Sequence, residues 1–283
     1  MLSGTLAAVL TPFAPGADAL DLGVIPAYAE WLLAHGASGV LSAGTTGESV
    51  LLSEDEHRRL AEAWRAALRG RGLLAVHAGA QTTGETVRLA AHAKAIGADA
   101  VAVIGPPYFA LDAEELFFHF KAAADACAPV PFYVYEFAAR AGYALPIPML
   151  HRLKATCSNV VGLKVSDAPF EKFKPYLLEG WDVFVGPEAC LVDGLAHGAK
   201  GAVSGLAAVY PDRVSAVVRR PDAAAGAAVA ALRASMQSLP FHAAGKAILR
   251  ARGVPIGPDV RRPLRGLTPD EARVAAAIAA ANP

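Results

Sequence analysis

Short apolar runs alternate along the chain with longer amphipathic stretches. The runs are rich in β-branched residues and carry few polar ones, which is typical of parallel strands that are covered on both faces. The stretches between them, such as VIPAYAEWLLAHG and DEHRRLAEAWRAALRG, place apolar residues at helical spacing. The pattern predicts strands at residues 6–12, 39–43, 73–79, 100–104, 131–137, 160–165, 182–186 and 201–205.

Glycines and capping sequences mark the ends of the predicted helices. Gly36, Gly97 and Gly198 each stand in a Gly-Ala pair just before a strand, where a left-handed residue commonly ends a helix. Ser/Thr-x-x-Glu sequences, which can form capping boxes, occur at residues 45–48, 53–56, 82–85 and 268–271.

The strands and helices together predict an α/β fold, a (β/α)8 TIM barrel with a C-terminal helical extension. An open doubly wound sheet is the alternative, but no glycine fingerprint follows the first strand, where the chain reads LTPFAPG. We predict a catalytic barrel over residues 1–210. Residues 211–283 are mostly helical in pattern, and we expect them to pack on the barrel rather than to form a second catalytic domain.

Composition narrows the class of protein. The chain has 283 residues, is 54% hydrophobic and carries 26 basic against 26 acidic side chains, so it has no basic surface for nucleic acid. Its three cysteines are too far apart for a zinc site or a disulfide framework, and no apolar run is long enough to span a bilayer. We expect a cytoplasmic protein without metal or cofactor, and with neither nucleic-acid nor membrane partners.

Lys164 stands inside the apolar predicted strand VVGLKV. Alternation along the strand directs it to the barrel interior with Gly162 and Ser166, while Val161, Leu163 and Val165 should face the helices. An apolar site disfavours the ammonium form, so a buried lysine can attack a ketone and form an imine. The alternative is a lysine that pairs with an interior carboxylate or extends to solvent.

Tyr135 ends the preceding strand and should also face inward, beside Lys164 at the carboxyl ends of the strands, where barrel active sites form. A buried core tyrosine is the alternative. The sequence GTTGES follows the second strand and brings Thr45 and Thr46 to a predicted helix N-terminus, which can hold a carboxylate. The alternative there is a plain capped helix, since Thr45 and Glu48 have the spacing of a capping box.

These motifs in this order resemble the dihydrodipicolinate synthase / N-acetylneuraminate lyase family. The resemblance rests on GTTGES, the tyrosine and arginine of YEFAARAG, GLK on strand six and GAKGAVSG at strand eight, and extends from about residue 4 to the C-terminal helices. It implies a TIM barrel with C-terminal helices, usually a homotetramer, and an imine between a lysine and pyruvate or a related 2-oxo acid. A dimer or tetramer is therefore expected here.

The resemblance also implies roles for residues. Lys164 matches the Schiff-base lysine, and Tyr135 matches the tyrosine that moves protons during imine formation and C–C bond change. Thr45 and Thr46 match the pair that binds the 2-oxo acid carboxylate and helps to relay protons. Arg140 matches the arginine that binds the second substrate's carboxylate in the synthases. Two further positions match the lining of the pocket: Gly186 and Val203.

Three departures bear on the substrate. Phe109 follows Tyr108 where synthases have two adjacent tyrosines, Glu136 begins EFAAR where they usually have Asn-x-Pro, and strand eight reads AVSG. These favour a lyase that joins or cleaves pyruvate and an aldehyde, an aldolase or dehydratase of 2-keto-3-deoxy sugar acids. Arg140 keeps 4-hydroxy-tetrahydrodipicolinate synthase, which uses pyruvate and aspartate semialdehyde, as the alternative. A non-catalytic ligand-binding homologue is the third hypothesis. A phosphate-binding barrel is disfavoured, because Glu188 would repel the phosphate.

Overall fold

A computed structural model describes residues 2–283, and its strands form a closed parallel barrel. Each strand pairs with the next one in the chain, and the last strand pairs with the first, for example Gly4 with Gly201. The predicted TIM barrel is therefore confirmed. Its strands are β1 (Gly4–Ala8), β2 (Gly39–Ser42), β3 (Leu73–His77), β4 (Ala100–Ile104), β5 (Phe132–Glu136), β6 (Val160–Val165), β7 (Asp182–Val185) and β8 (Gly201–Ser204).

Helices connect the strands and continue beyond the barrel. The connections carry α1 (Ile25–Ala34), α2 (Glu54–Leu68), α3 (Thr83–Ala95), α4 (Ala113–Cys127), α5 (Ala138–Ala141), α6 (Ile147–Thr156), α7 (Phe170–Phe173) and α8 (Leu191–Ala196). Four helices follow β8: α9 (Pro211–Arg219), α10 (Ala223–Ser235), α11 (Phe241–Ala251) and α12 (Pro269–Ala281). The division at residue 210 into a barrel and an extension stays a prediction.

The helix boundaries follow local chemistry. Gly36, Gly97 and Gly198 have the positive φ angles expected of residues that end helices, at 89°, 72° and 98°. Capping boxes form at Ser53 and Thr268. Each of these side chains accepts a hydrogen bond from a backbone N–H three residues later, and the glutamate at that position accepts one from the N–H of the capping residue.

The hydrophobic core has two layers, which the closed sheet separates. The larger layer packs the outer side chains of the strands against the helices. The smaller one fills the barrel around Tyr133 and Phe184, whose rings meet edge to face at 5.7 Å between centroids. Tyr133 thus faces inward and Phe132 outward, as alternation predicts.

The first strand is displaced from its predicted position. It spans Gly4–Ala8 rather than 6–12. Residues 9–12 are a buried loop, in which Val9 still donates its N–H to the Leu41 carbonyl at 3.2 Å and the Thr11 hydroxyl donates to the Gly47 carbonyl at 2.6 Å. An apolar pattern marks burial, and it does not separate a buried strand from a buried loop.

One predicted side-chain orientation on strand β6 is wrong. Val161 was expected to face the helices, but it packs against the cluster inside the barrel. The register between β5 and β6 shifts at Phe132 and Tyr133, so strict alternation fails at this point. Beyond the shift the prediction holds, since Leu163 and Val165 pack in the outer layer.

The three cysteines, Cys127, Cys157 and Cys190, are buried and form no disulfide. Within residues 2–283, no helix has the length and apolar character that a membrane crossing requires.

Candidate active site

A cavity of about 540 Å³ opens at the carboxyl ends of the strands. The side chains that the sequence singled out converge on it from β5, β6, the loops after β2, β5 and β7, and strand β8. All of the predicted site residues line the cavity: Thr45, Thr46, Tyr135, Arg140, Lys164, Gly186 and Val203.

Lys164 lies at the bottom of this cavity and is 7% exposed. The barrel register pairs it directly with Tyr135 on the neighbouring strand. Its Nζ donates a hydrogen bond to the Ser166 hydroxyl at 2.5 Å and lies 3.5 Å from the centre of the Tyr135 ring. Burial lowers the pKa of the Lys164 ammonium, although nearby Tyr135, Glu188 and Asp167 act in the opposite direction. A larger share of the amine is therefore neutral, and able to act as a nucleophile, than for a lysine in water.

Tyr135 is placed to exchange protons with the amine. Burial alone would raise the pKa of its hydroxyl, but the charge of Lys164 and hydrogen bonds with Lys164, Thr45 and Ser166 lower it on balance. The Thr45 hydroxyl is 3.2 Å from the Tyr135 hydroxyl. His77 packs edge to face on the Tyr135 ring, and burial lowers its pKa to about 3, so it is neutral. Thr45, Tyr135 and Lys164 thus form a polar path along the cavity, in which Thr45 hydrogen-bonds to Tyr135 and the Tyr135 ring lies against the Lys164 amine.

The loop that carries Thr45 and Thr46 is not the capped helix that its sequence allows. Residues 45–47 form a single 3-10 turn, and Glu48 adopts a left-handed conformation with φ of 62°. The predicted capping box at 45–48 is therefore wrong. Instead of turning back to Thr45, the Glu48 carboxylate pairs with Lys246 at 2.7 Å, and neither side chain is exposed.

Helix α11 supports this loop from outside the barrel. His242 contacts the Thr45 carbonyl through Nε2 at 3.1 Å, one turn before Lys246. Lys246 also donates to the Asp259 carbonyl at 2.6 Å, and the Arg261 N–H donates to the second Glu48 oxygen at 2.8 Å. The loop after β2 is thus tied to the C-terminal part of the chain by buried, directional contacts.

Gly186 and Val203 form the wall of the cavity. A Cβ atom at Gly186 would lie 2.3 Å from the Ser166 hydroxyl and 2.7 Å from the Val165 carbonyl, so no other residue fits there without displacing the strand beside Lys164. Val203 is buried and also belongs to the cluster inside the barrel.

Arg140 reaches the cavity from α5. Its guanidinium lies 5.8 Å from the centre of the Phe137 ring, and its N–H groups make no hydrogen bond to another of the described residues. The aromatic pair Tyr108 and Phe109 is absent from the lining of the cavity. Both side chains are exposed, by 88% and 70%, and their rings meet edge to face at 4.9 Å.

Several lining residues were not predicted. Ser166 was expected to face inward but was given no role, and Glu188 was considered only as a group that repels phosphate. Both follow the ends of barrel strands, which is the signal that could have identified them. Six more lie on the C-terminal helices or just beyond, with no motif to distinguish them: Ala230, Arg233, Ala234, Gln237, Phe241 and His242.

Glu136 lies on the opposite side of β5 from Tyr135 and is completely buried. It accepts a hydrogen bond from the Leu145 N–H at 2.9 Å, while neighbouring Asp167 accepts one from the Ala138 N–H at 3.0 Å. Burial, together with the hydrogen bond and charge of Asp167, raises the pKa of Glu136 to about 8. The protonated Glu136 therefore helps to hold the turn from which Arg140 extends.

We predict that Glu136 makes stability depend on pH. Its pKa rises from 4.5 to about 8 on folding, so the folded state keeps a proton that the unfolded state releases in this window. The free energy of unfolding should fall by roughly 3–4 kcal/mol between about pH 5 and pH 8. Glu136→Gln should flatten this dependence in urea unfolding, while Glu30→Gln, at an exposed carboxylate, should not. The same slope in wild type and Glu136→Gln would contradict the assignment.

Comparisons with known proteins agree with this arrangement. The chain matches the model of the dihydrodipicolinate synthetase family over residues 1–281. The 4-hydroxy-tetrahydrodipicolinate synthase of Phenylobacterium zucineum is 35% identical over 218 residues, which cover 75% of this chain and 72% of that protein. The synthase of Rhizobium meliloti strain 1021 is 32% identical over 257 residues, covering 90% and 85%. The structure of Proteus mirabilis N-acetylneuraminate lyase is 31% identical with a TM-score of 0.86, covering 99% and 98%.

Proposed function

The chain belongs to the dihydrodipicolinate synthetase family and is a lyase of the class I aldolase type, and from this premise we propose that it acts on 2-keto-3-deoxy sugar acids through an imine at Lys164. In the aldol direction it would join pyruvate, or a related 2-oxo acid, to an aldehyde. In the reverse direction it would cleave the sugar acid to pyruvate and an aldehyde. A dehydratase would instead remove one water from the sugar acid and leave its carbon chain intact.

One observation carries the assignment of the chemistry. A buried lysine with a lowered pKa contacts a buried tyrosine at the carboxyl ends of neighbouring barrel strands. A protein that only binds a ligand has no need to bury an unpaired amine, because burial of a charge without an ion pair is unfavourable. This argues against the hypothesis of a non-catalytic homologue.

The proposed reaction uses the polar path from Thr45 to Lys164. The neutral Nζ attacks the C2 carbonyl, and Tyr135 passes a proton to the oxygen, so that the carbinolamine loses water and leaves an iminium. The iminium draws electrons from C3, and transfer of a C3 proton back to the ionised Tyr135 oxygen gives an enamine. The enamine carbon attacks the aldehyde carbon, whose oxygen takes a proton from Tyr135. Water then hydrolyses the imine, which releases the product and restores the free amine.

Thr45 and Thr46 are proposed to bind the carboxylate of the 2-oxo acid. Both line the cavity beside Tyr135, and Thr46 is 9% exposed. Hydroxyl and backbone N–H groups of such a turn can donate to a carboxylate without adding a cation. A carboxylate site without a charged side chain suits the mechanism. Once the iminium forms at Lys164, its own positive charge balances the carboxylate, so no further cation is needed there.

The choice of a sugar acid rests on the departures from the synthase pattern and on Glu188. This carboxylate lines the cavity and its Oε1 accepts from the Ser204 hydroxyl at 2.6 Å. Its Oε2 accepts no hydrogen bond from another described residue, so it is available to a substrate hydroxyl. Arg140 and the synthases among the relatives favour 4-hydroxy-tetrahydrodipicolinate synthase as the second candidate. A homo-oligomer, a cytoplasmic location and independence from cofactors stay predictions.

A substrate panel separates the two candidates. We expect the protein to consume 2-keto-3-deoxy sugar acids, giving pyruvate if it cleaves them or a product lighter by one water if it dehydrates them. Mass spectrometry of the reaction mixture distinguishes these outcomes. Turnover of pyruvate with aspartate semialdehyde, and none with the sugar acids, would replace the first proposal by the synthase.

A further inference from the structure

Arg233 reaches the cavity from helix α10, far along the chain from the other cationic groups of the site. Its guanidinium lies over the Phe241 ring, with Cζ 4.4 Å from the ring centre, which restricts the position of the group. Its side chain is 35% exposed and makes no hydrogen bond within residues 2–283. The donors of Arg233 are therefore held in place and remain open to a ligand.

Glu188 is the acidic group beside Arg233, but it accepts no hydrogen bond from the Arg233 guanidinium. Their closest approach is 3.8 Å, from the Arg233 Nε to the Glu188 Oε2, which is longer than a hydrogen bond. The other Glu188 oxygen already accepts from the Ser204 hydroxyl at 2.6 Å and the Leu206 N–H at 3.1 Å. Glu188 is thus fixed to the loop after β8, and it offsets only part of the positive charge.

The balance of charge in the cavity favours a second anion. Arg140, Arg233 and the Lys164 amine line it, against the single carboxylate of Glu188. His242, which also lines the cavity, is neutral near pH 7, because burial lowers its pKa. A 2-oxo acid whose first carboxylate binds at the Thr45 loop leaves Arg140 without an anionic partner and Arg233 with only the 3.8 Å contact to Glu188.

We propose that Arg233 is a specificity-determining residue that binds a carboxylate at the far end of the substrate. The inference rests on the proposed function and narrows it: among 2-keto-3-deoxy sugar acids, the site selects those with a carboxylate at both ends. Arg233 presents a planar set of N–H donors that matches a carboxylate, and its contact with Phe241 reduces the conformational freedom lost on binding. Arg140, on the turn after β5, is the second cation available to the same group.

Imine trapping with matched 2-oxo acids tests this independently of the reaction that follows. The probes are 2-oxoadipate and 2-oxopimelate, each paired with the 2-oxo monoacid of equal chain length. Borohydride traps the imine at Lys164, and its yield against probe concentration gives an apparent affinity. Two diacid lengths are used so that a failure to reach Arg233 does not account for a negative result.

We expect the wild type to favour at least one diacid over the monoacid of equal length by roughly 10- to 100-fold, as for a hydrogen bond between charged groups. Arg233→Met should remove most of this preference, Arg233→Lys should keep part of it, and both should trap pyruvate as the wild type does. Arg71→Met, at an exposed arginine paired with Glu30, is the matched control. It should change neither the preference for diacids nor the trapping of pyruvate.

The outcomes test the role of Arg233 separately from the proposed aldolase function. Pyruvate trapped at Lys164 without any preference for diacids would overturn the role of Arg233 and leave the proposed function standing. A preference that persists in folded Arg233→Met would do the same. Failure of the wild type to trap pyruvate or any probe would overturn the proposed function, and the inference with it.

Discussion

Replacement of Lys164 by methionine is expected to lower kcat/KM by on the order of 10³-fold or more, because no other group can form the covalent intermediate. The fold should survive, since the change replaces a buried ammonium, which has no carboxylate partner within hydrogen-bonding distance, by an apolar side chain of similar length. We expect a melting temperature equal to or above that of the wild type. Loss of activity with preserved stability would separate a catalytic role from a structural one.

Lys121→Met provides the control for this variant. Lys121 lies on the surface of α4 and pairs with Asp125 at 2.5 Å, far from the cavity lining. We expect its activity to equal that of the wild type. Wild-type turnover in Lys164→Met, measured on purified protein with the preferred substrate, would rule out the imine mechanism.

Replacement of Lys246 by methionine is expected to lower the free energy of unfolding by about 3–5 kcal/mol, because it leaves the Glu48 carboxylate buried without a cation beside it, with only the Arg261 N–H still donating to it. Neither side chain of this ion pair is exposed, and Lys246 also holds the Asp259 carbonyl. The pair fixes the end of the loop that carries Thr45 and Thr46, so the surviving folded protein should also show a raised KM for pyruvate. Urea unfolding and steady-state kinetics measure the two effects.

Two further variants test whether burial of the Glu48 charge causes this loss of stability. The double variant Glu48→Gln with Lys246→Met removes both charges and should recover a large part of the lost stability. Arg59→Met breaks an ion pair with Asp55 in which the side chains are 50% and 75% exposed, and it should change the free energy of unfolding by about 0–1 kcal/mol. A loss for Lys246→Met no larger than that of Arg59→Met would contradict the account.

The sequence predicted the barrel and the position of Lys164 because both depend on local periodicity. Parallel strands covered on both faces leave apolar runs, and alternation then directs Lys164 and Tyr135 inward. The same rule failed at Val161, where the register shifts between β5 and β6. A shift of this kind depends on the packing of the neighbouring strand, and a strand's own sequence does not record it.

The outer part of the site could not be predicted for a related reason. Arg233 and His242 come from helices that lie far along the chain from Lys164, and neither residue belongs to a motif. The capping sequence at 45–48 gave a wrong local structure because Glu48 pairs with Lys246, which is 198 positions away in the chain. Contacts of this length are set by tertiary packing, and it overrides the local preference of the sequence.

The most direct test of the account is to map the site of the imine. The folded protein is incubated with saturating pyruvate, reduced with borohydride and digested, and the modified peptide is sequenced by mass spectrometry. The account predicts a single reduced pyruvate adduct, on Lys164, that is absent from Lys164→Met. An adduct on another lysine, or none in folded wild type, would contradict it.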